Sequence, residues 1–194
     1  MKKSRLIVFS IAFALFSFIS QPLFAQENFK VDVDNSSLNW KGYKPTGSHT
    51  GIITLTSGNI VVKSNKLTGG SFVANMSTIK DADGSAKLEG HLKSEDFFEI
   101  AVFPTSKFEI TETTVKAGKI QITGNMTIKG ITKQITFPAT LAVNKDNVTL
   151  TSETFQINRA DFNVKYKSKT FFNDLKDKFV NDEFDFQVNI IAKK

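Results

Sequence analysis

Two histidines and one late arginine are the residues in this chain best suited to chemistry, since an imidazole can ligate a metal and a guanidinium can grip an anion. His49 and His91 lie in separate polar segments with neither HxH nor HExxH spacing, so the pattern builds no metal site. His91 better suits a hydrogen bond in a helical turn or a contact at a ligand mouth. Serine, aspartate and glutamate are plentiful, but no GxSxG elbow or paired-carboxylate signature accompanies them. The absence of cysteine excludes a disulfide, a thiolate metal site, a thiol nucleophile and a lipidated anchor. Four Asn-x-Ser/Thr matches, at Asn35, Asn75, Asn125 and Asn147, are what an asparagine- and threonine-rich chain contains by chance.

Arg159 stands apart as the only arginine after residue 25. A planar guanidinium makes bidentate bonds that lysine cannot. NRAD sets it at a strand end beside Asp161. There it would hold a carboxylate across the mouth of a barrel, face a ligand's polar head, or sit solvated in a loop.

The other unusual chemistry is apolar. HLKSEDFFEIAVFPTSKF, residues 91–108, holds four phenylalanines among two lysines and three acidic groups. Adjacent strand residues face opposite sides, so Phe97 and Phe98 can lean together only in a helical turn. Leu88 and Leu92 are four apart, Ser94 can cap a turn, Glu95 and Asp96 suit its first positions, and Pro104 ends the segment. NRADFNVKYKSKTFFNDLKDK, 158–178, repeats the theme with Phe162, Phe171 and Phe172.

These interruptions sit in a chain of strands. FKVDVD (29–34), SLNWKGY (37–43), GIITLT (51–56), IVVK (60–63), SFVANMS (71–77), KFEITET (107–113), KIQITGNMTI (119–128), KQITFPATLAV (133–143), VTLTSETFQI (148–157) and DEFDFQVNIIA (182–192) alternate or are β-branched. DNSS, SGN, KLTGG, KAGK, IKGITK and NKDN read as turns between them. The spacing predicts an antiparallel meander that becomes a sandwich or a closed barrel, with no helix longer than about three turns.

Residues 1–25 read as a leader. Lys2, Lys3 and Arg5 precede an apolar run from Leu6 to Ile19, then Pro22 and Ala25, the pattern of a secretory signal peptide cleaved after Ala25. The working domain is then 26–194, and its localisation periplasmic or secreted. Without the three leading cations, 22 Lys and Arg face 19 Asp and Glu, a balance of +3 that does not argue for nucleic acid. Fourteen phenylalanines remain beside Trp40, Tyr43 and Tyr166. A phenyl ring has no polar handle, so fourteen of them imply a large dry interior. Three Trp and Tyr residues cannot supply two interfacial girdles, which argues against a membrane-spanning barrel.

HLKSEDFFEIAVFPTSKFEIT, then ITGNMTIKGITKQITFPATL, then FQINRADFNV, resemble in their chained order the YceI family of exported lipocalin-like proteins. LeuGluGly precedes His91 where many members carry an Arg-Asp pair. The resemblance implies an all-β, eight-stranded antiparallel lipocalin-like barrel with one or two short helical turns, and a long isoprenoid or other amphiphilic chain in its lumen. Strand alternation nominates Trp40, Phe72, Ala74, Met76, Phe108, Ile110, Ile122, Phe137, Phe155, Phe184, Phe186 and Val188 as lumen residues. Leu92, Phe97, Phe98, Phe162, Phe171 and Phe172 would close or line the barrel ends, with His91, Arg159, Asp161 and Tyr166 as polar groups at the mouth.

The expected function is non-catalytic: to hold a polyisoprenoid, quinone-like or fatty chain for transport, storage or stress protection. No cofactor or metal is required, no stable membrane anchor is expected, and a homodimer stays open. The alternative is an enzyme acting on an isoprenoid or lipid in the same cavity, which needs an acid/base pair inside the lumen.

Overall fold

The computed structural model describes residues 25–194; the expected leader, residues 1–25, lies outside the described residues except for Ala25. Ten strands run along the described residues: β1 (Gln26–Val31), β2 (Ser37–Lys44), β3 (Gly47–Lys63), β4 (Lys66–Asp81), β5 (Thr105–Lys116), β6 (Lys119–Ile128), β7 (Ile131–Val143), β8 (Asn147–Ser152), β9 (Phe155–Asn158) and β10 (Glu183–Lys193). One helix, α1 (Ala86–Lys93), separates β4 from β5.

The ten strands make eight rows. β1 and β2 share a row between β10 and β3, and β8 and β9 both lie against β10. All pairings are antiparallel, and β10 closes the ring: Phe186 lies opposite Trp40 on β2, and Ile190 opposite Leu150 on β8. Closure leaves no long unpaired edge. Alternation decides which side is apolar: on β5, Phe108 and Ile110 are buried while Lys107 and Glu109 are exposed.

Two sequence signals resolve differently from their expected turns. SGN does not break the chain, because β3 runs straight through it with bulged register against β4. A Cβ on Gly58 would lie 2.8 Å from the Ser71 carbonyl oxygen, and one on Gly70 would lie 2.7 Å from that of Asn59. Those glycines allow close approach of the two strands rather than reversal of the chain. The β3–β4 reversal falls instead at Ser64–Asn65, both at positive φ (51° and 59°). Ala117–Gly118 and Lys129–Gly130, the same geometry, turn where KAGK and IKGITK predict. Paired positive φ is the backbone of a type I′ hairpin turn, whose twist matches the strands.

The expected single strand 148–157 is interrupted at Glu153–Thr154. Glu153 donates its backbone N–H to the Pro138 carbonyl, and proline has no N–H to return. The ladder therefore loses a rung there.

The Ser85 hydroxyl caps α1 by accepting from the Leu88 N–H. Ser94 ends the helix, its N–H and hydroxyl both donating to the His91 carbonyl. The Ser94 carbonyl then accepts from the Phe97 and Glu99 N–H groups, while Phe98 bonds back to Leu92. This compact turn buries Phe97 and Phe98 together on the barrel side.

Candidate functional site

The barrel is hollow. A cavity of about 530 Å³ lies within the range of small-molecule sites. Its wall includes Trp40, Ile53, Leu55, Phe72, Ala74, Met76, Ile79, Phe108, Ile122, Met126, Phe137, Phe155, Phe184, Phe186 and Val188. Rings line it in sequence: Phe108–Phe137 at 5.4 Å, Phe137–Phe155 stacked at 4.2 Å and 8°, Phe155–Phe186 at 6.2 Å, and Phe184–Phe186 at 5.6 Å. Offset aromatic contacts of this kind hold the wall in one shape.

Polar groups gather at the mouth. Lys44, Pro45 and Thr46 of the β2–β3 turn stand on the rim with Lys167, Asp177, Lys178 and Asn181. Below them His91 packs edge-on against Tyr166 at 4.3 Å and Phe97 at 5.4 Å. Asp177 is the one carboxylate among the described residues lining the cavity. Buried Trp40 Nε1 has no protein partner, which leaves a donor in the wall.

Comparison with known proteins agrees with this geometry. The sequence model of the YceI-like domain matches residues 29–192. The chain belongs to the YceI-like family. Local relatives include a UPF0312 protein of Pseudomonas aeruginosa, 39% identical over 62 residues, and Protein YceI of Salmonella arizonae, 36% identical over 62 residues. Each match covers 32% of this chain and 32% of the relative, so the matched stretch spans about a third of the relatives' length. Among solved structures, Burkholderia cenocepacia BcnA superposes with a TM-score of 0.70 at 20% identity, covering 84% of this chain and 99% of that one. A polyisoprenoid binding domain from Saccharophagus degradans superposes at 0.66 with 13% identity, covering 85% and 97%. These two likenesses show the shared fold.

In this YceI-like barrel Arg159 is a clamp. Its side chain is almost wholly buried and donates to the carbonyls of Asn181 (2.9 Å), Val164 (2.8 Å) and Val180 (2.9 Å). The carboxylate it holds is Asp182, at 3.2 Å, and not its sequence neighbour Asp161. Arg159–Phe162 forms a single 3-10 turn, capped by the Asn158 side chain on the Ala160 N–H, and Asp161 within it is exposed. The guanidinium also lies 5.5 Å from the Phe97 ring centroid, tying this loop to the α1 segment. Burial lowers the Arg159 pKa from its ordinary value, and Asp182 opposes that effect. Burial pushes the Asp182 carboxyl upward, but hydrogen bonds from Ser168 and Thr170 and the Arg159 charge outweigh it and leave its pKa lowered.

Of the expected site residues, Trp40, Phe72, Met76, Leu92, Phe97, Phe98, Phe108, Ile122, Phe155, Phe186, His91, Arg159 and Tyr166 line the cavity. Ile110 and Phe162 are buried but pack outside its lining. Phe171 and Phe172 neither close nor line the barrel: they are 39% and 47% exposed. Both N–H groups bond to the carbonyl of buried Ser168, so the turn carries the rings outward. Alternation in GIITLT marks Ile53 and Leu55, and these were missing from the expected wall. The β2–β3 turn is marked by Pro45 and Gly47, a signal absent from the expected turns, whereas Phe179 on the rim carries no local signal.

His49, Asp81 and Asp83 bring ligating atoms within 4.8 Å of one another at the β3–β4 edge. His49 Nδ1 and Asp81 Oδ1 face each other at 3.4 Å. Their convergence depends on cross-strand pairing that sequence spacing does not reveal.

Proposed function

We propose that this YceI-like protein is an exported binding protein that holds a long apolar chain in its barrel, such as a polyisoprenoid, a quinone-like molecule or a fatty amphiphile. Transport, storage or protection of that chain is its role, and no catalysis is involved. The observation that carries this reading is the hollow, phenylalanine-rich lumen with its polar groups gathered at one mouth. Each methylene moved from water into such a wall contributes about 0.8 kcal/mol. Ten of them would supply roughly 8 kcal/mol, the scale of micromolar binding, before the cost of ordering the chain.

The tripartite leader supports export, and the polyisoprenoid binding named for the Saccharophagus degradans domain supports the ligand class. An enzyme would need an acid and a base facing the reacting atoms. The described lining holds one carboxylate, Asp177, beside Lys178, and two imidazoles, His49 and His91, of which His91 packs edge-on against Tyr166 and Phe97; the rest of the wall is predominantly apolar. The test is mass spectrometry of an organic extract from protein purified without detergent from its native host. An apolar chain near one per protein is expected. An extract without any such compound counts against the reading, as does an intact mass beginning at Met1 against export.

A further inference from the structure

The outward rings of the 159–182 loop serve neither the core nor the cavity wall. Phe171 and Phe172 are the exposed large aromatics among the described residues. They are not loosely held: both N–H groups bond to Ser168, and Thr170 beside them gives its N–H and hydroxyl to Asp182, the partner of buried Arg159. The clamp therefore presents two apolar rings to solvent on a fixed turn. The same loop supplies Tyr166, Lys167, Lys178 and Phe179 to the cavity mouth.

Charge is concentrated there as well. Residues 165–178 contain Lys165, Lys167, Lys169, Lys176 and Lys178 against Asp174 and Asp177, a balance of +3. Residues 26–194 carry 22 cations and 19 anions, so the remainder of that stretch has 17 of each and no net charge. The whole excess sits around the two exposed rings, and Lys44 adds to it across the mouth. Rings that enter acyl chains, ringed by cations that meet headgroups, form an interfacial docking surface for anionic lipid. A second copy of the chain fits poorly, because a two-fold contact sets the same five lysines against each other.

We propose that the 165–178 loop docks the barrel mouth on an anionic bilayer, with Phe171 and Phe172 inserted and the lysines at the headgroups. This rests on the reading that the cavity takes an apolar chain, and it adds a route by which that chain passes between bilayer and barrel without crossing water.

The experiment is vesicle flotation of residues 26–194, using phosphatidylcholine with and without phosphatidylglycerol, alongside solution binding of cis-parinaric acid. Flotation is expected with anionic vesicles only and weakens as salt rises. Phe171→Ser with Phe172→Ser should lower vesicle affinity about tenfold or more while leaving the melting temperature and cis-parinaric acid binding as in the wild type. Trp at both positions should restore flotation. Wild-type protein that binds the probe but no vesicles overturns the docking and spares the binding reading. Protein that floats but takes no probe keeps the docking and overturns the binding reading. A dimer that the serine changes dissociate, with flotation unchanged, also overturns the proposal and makes a second copy the occupant.

Discussion

Phe97–Phe98 and Phe171–Phe172 are both adjacent phenylalanine pairs in charged segments that interrupt the strands, yet one pair is buried and the other exposed. The difference lies in what each turn hangs from. The first pair follows α1, whose Leu88 and Leu92 face the cavity, and its backbone returns to Leu92 and Ser94, so both rings are drawn inward. The second pair follows a turn whose inward positions are already filled by Phe162, Val164 and Ser168, all at or near zero exposure. Equal hydrophobicity does not ensure equal burial. A ring goes inside only where the backbone leaves a place for it.

The comparison breaks most severely at the clamp. Arg159→Leu leaves Asp182 without its cation and three carbonyls without their donor, so stability should fall by about 3–5 kcal/mol. Arg159→Lys should cost about 1–3 kcal/mol, because one ammonium cannot reproduce the fork. Urea denaturation measures both, and an unchanged midpoint for the leucine variant would remove the clamp from the account.

The two phenylalanine pairs should separate next. Phe97→Ala lies in the wall of an existing cavity, so it loses about 1.5–3 kcal/mol of burial without opening a wholly new void. Phe171→Ala should stay within about 0.5 kcal/mol of the wild type. Equal losses in thermal melts would mean that the two turns do not differ as described. Phe97→Ala should also release a bound fluorescent fatty probe faster, since that ring lines the site.

The smallest effect is set by pH. A carboxyl whose folded pKa lies below its ordinary 3.8 contributes stability that is present above that value and lost as pH falls through the folded pKa. Asp182→Asn should therefore flatten the acid limb of the stability curve below pH about 4. A limb as steep as that of the wild type would show that other carboxylates set it.

Much of the barrel was legible because burial follows the two-residue period: KFEI alternates in sequence as it alternates between buried core and solvent. The hairpins at Ala117–Gly118 and Lys129–Gly130 were legible for a similar reason, since turn chemistry is local. Glycine misled at Gly58 and Gly70, where the same residue that permits a reversal instead permits two strands to touch. The partner of Arg159 was illegible. Asp182 is 23 positions away and Asp161 only two, but the 3-10 turn and the loop closure, not proximity in sequence, choose between them.

Trp40 offers the most direct test of the central claim, being the single tryptophan in the chain and part of the cavity wall. Titration with cis-parinaric acid should quench its emission by energy transfer and saturate at one probe per chain. Ala74→Phe, which fills the lumen beside Phe72, should abolish that saturable quenching while the protein stays folded. Quenching that never saturates, or that survives the filled lumen unchanged, would place the probe elsewhere and contradict a barrel built to hold an apolar chain.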